Sequence, residues 1–247
     1  MANWSDPRTT AAGFGATAAT RAAEFDAGLR SYMLSVYNYM ASGVLLTGVV
    51  ALLFSSGGVN SPAAQVFMQP GILKYVIMFS PLAFVMVLSF GINRLSTAAA
   101  QAIFWAFAVM MGLSLSTIFL VYTGTSIAQT FFATAAAFAG LSLFGYTTKK
   151  DLSGLGTFLI MGVVGLLVAM IINIFVQSTA LQLAISAIGV LLFAGLTAYD
   201  TQKIKSLYAY VAGTDMMGKT VIMGALNLYL DFINMFTFLL QFMGNRE

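Results

Sequence analysis

Two aspartates stand where an acid is costly. The stretch "GALNLYLDFINMFTFLLQF", residues 224–242, is apolar almost throughout, yet Asp231 sits in its middle. Asp200 ends a second apolar run, "LLFAGLTAYD". An aspartate at the centre of a membrane-crossing helix costs about 2.5–3.5 kcal/mol on insertion scales, so it needs a partner, a proton or a water-filled cavity. Asn227 and Asn234 lie four residues before and three residues after Asp231, and therefore share its face of a helix as a supporting polar stripe. Such a stripe belongs in a bundle interior, not against lipid. If the two carboxyls meet, both cannot ionise cheaply, and one proton is shared between them. That arrangement would sense pH, and a cation displacing the proton would find two oxygen ligands waiting, a candidate transient calcium site. On its own, Asp231 also reads as a neutral, hydrogen-bonded structural acid, and Asp200 as an interfacial charge beside Lys203. Arg94, after "VLSFGIN", reads either as a flanking anchor or as a bidentate latch on a carboxylate at its depth.

The rest of the chemistry is narrowed by what the chain lacks. There is no cysteine and no histidine among the 247 residues. Disulfides, thiolate nucleophiles, imidazole bases and His/Cys metal sites are thereby excluded. Carboxylates, amides, hydroxyls and backbone carbonyls remain, which are hard ligands suited to protons, calcium or magnesium. Hydrophobic residues make up 60% of the chain and charged ones 8%, against about a quarter charged in an ordinary soluble domain. A soluble fold could not hide that much apolar surface, so the partner is the lipid bilayer. The net charge of +3 does not point to nucleic acid, because the basic residues are spread between apolar runs.

Seven apolar spans follow one another, at roughly 34–55, 75–92, 98–122, 126–146, 155–176, 181–198 and 221–243. Each is about the 17–25 residues that an α-helix needs to cross the hydrocarbon layer. The expected fold is therefore an all-α polytopic membrane protein: a seven-helix domain over residues 31–247, preceded by a cytoplasmic tail over residues 1–30. That tail lacks the apolar core of a signal peptide and reads as mostly mobile, ending in a short amphipathic helix. With seven spans, Arg8, Arg21, Arg30, Arg94, Lys149, Lys150, Lys203, Lys205 and Lys219 fall on one side, and Lys74 and Arg246 on the other. The positive-inside rule then puts the N-terminus in the cytoplasm and the C-terminus outside. Pro81 is expected to kink the second span. Ala136 and Gly140, four apart, are expected to let helices approach closely.

The pieces "GLTAYDTQKIK" and "NLYLDFINMFTFLLQF" resemble the Bax inhibitor-1 (transmembrane Bax inhibitor motif) family, its bacterial branch most of all. The resemblance extends over essentially all seven spans. It implies two three-helix layers around a central C-terminal helix, in an inner membrane. It implies a pH-sensitive calcium leak channel without a cofactor, in which calcium is the permeant ion. Asp200 in "YDTQ" and Asp231 in "LDFIN" match the family's proton-sharing pair, and Arg94 matches its latch. The connection "YAYVAGTDMMGK" is longer than the resemblance implies.

Three other functions compete. Some bacterial relatives are implied to modulate a membrane-anchored AAA protease, for which residues 1–30 would be a handle. Intramembrane aspartyl proteases also place "YD" on one span and a second Asp on the next, but in a Gly-x-Gly-Asp context; here "LYL" precedes Asp231, and the chain is not expected to be an enzyme. A proton-coupled transporter would call for an inverted repeat, and none is visible.

Overall fold

A computed structural model describes residues 7–245 of the chain, and for residues 7–19 only the course of the helix. Arg8 and Arg246, two of the charges that set the expected orientation, lie outside the residues whose side chains are described. Eight α-helices follow in order: α1 Pro7–Ser55, α2 Pro62–Met68, α3 Leu73–Gly91, α4 Thr97–Leu115, α5 Gly124–Thr147, α6 Ser153–Val176, α7 Thr179–Val211 and α8 Met216–Met243. All but α2 are long and apolar enough to cross a membrane.

The helix starts are written locally. Ser61, Ser96, Thr123 and Ser178 each place a side-chain oxygen on a backbone N–H of the first turn of α2, α4, α5 and α7. At α6 the carboxylate of Asp151 accepts from the Ser153 N–H at 2.9 Å, and these bonds hold the acid below its ordinary range. Turns between helices are tight. Gln177 at φ 53° closes α6, and Gly213 at φ 74° carries the chain from α7 to α8.

α8 is the axis. Of its most apolar window 72% is buried, against 17–33% for the other six spans. One layer is α1, α4 and α3, with α4 in the middle; the other is α5, α7 and α6, with α7 in the middle. α8 packs on α7, α1, α5 and α4, and so lies between the layers. An aromatic cluster joins it to the first layer: the Tyr229 ring stands 5.0 Å from Phe107 and 6.4 Å from Phe104. Because lipid tails are as apolar as a leucine side chain, close fit and internal hydrogen bonds drive this packing. Thr47 shows the second of these. Its hydroxyl donates to the Ala108 carbonyl at 2.8 Å, and so accepts from the Tyr229 hydroxyl at 2.6 Å.

Several expectations are revised. α1 runs unbroken through residue 30, so the end of the tail and the first span share one helix. α7 continues to Val211, thirteen residues past the expected end at 198, because "KIKSLYAYV" keeps helical spacing with Ile204 and Tyr208 buried. Tyr208 stacks there against Phe25 at 5.0 Å and Tyr32 at 5.4 Å of α1. The long "YAYVAGTDMMGK" connection is thus mostly helix, with residues 212–215 as its only loop. Ala136 and Gly140 are exposed, and a Cβ added at Gly140 meets nothing within 4 Å. The close approach on α5 is instead at Gly145, where a Cβ would collide with the Ala198 carbonyl of α7.

Candidate functional site

The helical hairpin of α7 and α8 brings the two acids together. The helices run antiparallel across a four-residue turn and pack closely along their length, with Phe193 and Phe238 stacked at 5.9 Å and Ile204 against Gly224. Asp231 points into the core and is only 4% exposed. Asp200 is half-buried on the facing side of α7. Their carboxyl groups lie close enough to interact directly. Two carboxylates are acceptors only, so a hydrogen bond between them would need a proton on one of them. The Oδ2 atom of Asp231 is buried and has no other hydrogen-bond partner among the described residues.

Asn227 and Asn234 are half-buried on the Asp231 face of α8. Neither side-chain amide bonds to another described residue; the backbone carbonyl of Asn234 accepts from Thr237 at 2.9 Å. They flank the pair without holding it.

Arg94 is not brought to the pair. It is exposed in the turn between α3 and α4, and it makes no ion pair among the described residues. α3 packs on α4 and α2, and the field on Asp200 does not include Arg94. The cation whose field reaches Asp200 is Lys203, one turn along the same helix. That spacing was visible in "YDTQK", where Lys203 read as an interfacial neighbour.

Sequence reasoning missed a second feature. Thr201, next to Asp200, donates to the Thr197 carbonyl at 2.8 Å. It must then accept from Ser142 at 2.9 Å, and Ser142 from Tyr37 at 2.6 Å. This directed chain ties α1, α5 and α7 beside the acids. Tyr37 and Ser142 are 105 residues apart, and nothing in their local sequence marks the contact.

No cluster of three or more His, Cys, Asp or Glu occurs among the described residues. Calcium takes six to eight oxygens, and the pair offers two carboxyls.

The family model described as "Inhibitor of apoptosis-promoting Bax1" matches residues 29–247. The chain belongs to the Bax inhibitor-1 family. Its bacterial relatives align over nearly their whole length. An uncharacterised protein of Rickettsia prowazekii is 48% identical over 224 residues, 90% of this chain and 93% of the relative. The inner membrane protein YbhL of Escherichia coli is 44% identical over 223 residues, 90% of this chain and 94% of its own. A Deinococcus radiodurans protein is 42% identical over 219 residues, 89% of this chain and 92% of the relative. The Bax inhibitor-1 match covers six of the seven long helices in full, α1 from residue 29, and both acids of the pair. It begins inside α1, two residues before the expected boundary at 31.

Proposed function

We propose that this protein is a pH-sensitive calcium leak of an inner membrane, gated by the Asp200–Asp231 pair. The observation that carries the reading is that two carboxyls face each other inside a membrane bundle, Asp231 buried on the axis helix α8 and Asp200 half-buried on α7. The sign follows from electrostatics. A shared proton turns repulsion between two carboxylates into a hydrogen bond, and so holds α7 and α8 together. Losing it leaves two like charges in a poorly solvated place, which favours separation of the helices or entry of a cation. Low pH therefore favours the closed state and higher pH favours flux. Lys203 opposes the repulsion, since its charge stabilises an ionised Asp200. In this reading the N-terminus and most basic residues face the cytoplasm, in line with the charge bias between spans. Arg94 as a latch belongs to a conformation in which the end of α3 has moved toward the pair.

Calcium uptake into proteoliposomes, at pH 5 and at pH 8, tests the reading. Uptake that depends on the protein and is greater at pH 8 supports it. Uptake equal to protein-free vesicles at both pH values removes the leak.

A second reading is favoured by α1. Residues 20–27 form an exposed helical extension, with Phe25 43% exposed. It would serve as a docking handle for a membrane-anchored AAA protease. Co-purification that survives deletion of residues 1–27 would contradict it.

A further inference from the structure

The two helix layers do not close along the seam between α1 and α5. An apolar groove of about 750 Å³ lies there, floored by Phe232 of α8. A second, of about 450 Å³, continues it past Val44, Leu45 and Phe131, which line both. The first runs along α1 from Arg30 to Leu45. At 1.5 Å per residue that is about 22 Å, one leaflet with its interface, since the whole hydrocarbon core is about 30 Å thick. Its two inner hydroxyls, Tyr37 and Ser142, are bonded to each other at 2.6 Å, and Ser142 hands its hydrogen to Thr201. The interior therefore suits a hydrocarbon chain.

The mouth has a different character. Arg30 is the one charged side chain lining either groove among the described residues. It is exposed, and it forms no ion pair among them, not even with Asp26 one turn earlier. Tyr146 lines the same mouth, and the Lys205 ammonium sits against it, donating to its carbonyl at 2.7 Å and lying 4.8 Å from its ring centroid. The far groove has no charged lining at all. One end is thus cationic, at the depth where α5 leaves the membrane, and the body is apolar for about the length of one acyl chain.

We infer that the α1–α5 seam is a binding site for an anionic glycerophospholipid. One acyl chain lies in the groove against Phe138 and Phe232, and the phosphate lies at Arg30. The inference stands independently of the calcium reading. It places a lipid tail on Phe232, the residue after Asp231.

The test uses the full chain in vesicles of equal parts phosphatidylglycerol and phosphatidylethanolamine with identical acyl chains, followed by native mass spectrometry of the extracted protein. The wild type is expected to retain phosphatidylglycerol over phosphatidylethanolamine by about fivefold, the effect of one cation near an anionic headgroup. Arg30→Gln is expected to bring the ratio to about one, and Arg30→Lys to keep most of the preference. Ala139→Trp, which fills the groove from α5, is expected to reduce retention of both lipids. Should that variant fail to fold, the exposed Arg30 pair decides alone. A wild-type ratio near one, or an unchanged ratio in Arg30→Gln, overturns the site. A lipid-free dimer would assign the seam to a second copy of the chain and overturn it equally.

Discussion

Asp231 has a buried oxygen without a hydrogen-bond partner among the described residues, and it faces the Asp200 carboxyl. Neighbouring side chains make different demands on that pair. Lys203 acts on Asp200 through its charge, so Lys203→Gln should weaken the ionised state and move the onset of calcium flux to higher pH. Arg94→Ala should leave the onset where it is if the contacts seen here persist, because Arg94 is exposed and apart from the pair. A rise in basal leak in Arg94→Ala vesicles would instead reveal the latched conformation. The core hydroxyl of Tyr229 is a separate matter. In Tyr229→Phe, Thr47 still donates to Ala108 and only one bond is lost. The expected cost is about 0.5–1.5 kcal/mol, read as a small drop in thermal midpoint without change in the flux profile. The two acids were legible in the sequence because an aspartate inside an apolar run is conspicuous. Arg94 was not, because its role turned on where the end of α3 lies.

At the scale of helices, Gly145 and Gly140 make opposite predictions on one element. A methyl at Gly145 meets the Ala198 backbone, which cannot move aside as a side chain can. Gly145→Ala should push α5 from α7, strain the Ser142–Thr201 bond and cost about 1–3 kcal/mol, as overpacking does. Gly140→Ala should be neutral, since its methyl would face open space. Thermal unfolding of the two variants in one detergent checks both; equal destabilisation would contradict the packing. Apolar length alone marked the seven spans, because lipid demands it of each. It could not show that α7 outruns the membrane to Val211, where lysines alternate with buried Ile204 and Tyr208. Nor did it show α2, seven residues long and begun by Ser61 and Pro62. The spacing of Ala136 and Gly140 suggested contact, but spacing does not say which face of α5 looks inward.

The molecule as a whole is an axis helix held between two layers, with its titratable pair on the axis and most of its basic residues at one end. Topology reporters fused at the two termini should report opposite faces, the N-terminal one cytoplasmic; the same face for both would contradict a seven-span chain. α8 touches α1, α4, α5 and α7, so a change in its fit against α7 is felt by both layers. The most direct test of that coupling is calcium uptake into proteoliposomes across about pH 5–8, with wild type and Asp231→Asn at equal reconstitution. Asparagine can keep a hydrogen bond to Asp200 but cannot lose a proton in this range. Wild-type uptake should rise with pH and the Asp231→Asn profile should be flat. An unchanged, rising profile in Asp231→Asn would mean that the acid on the central helix is structural and that the gate lies elsewhere.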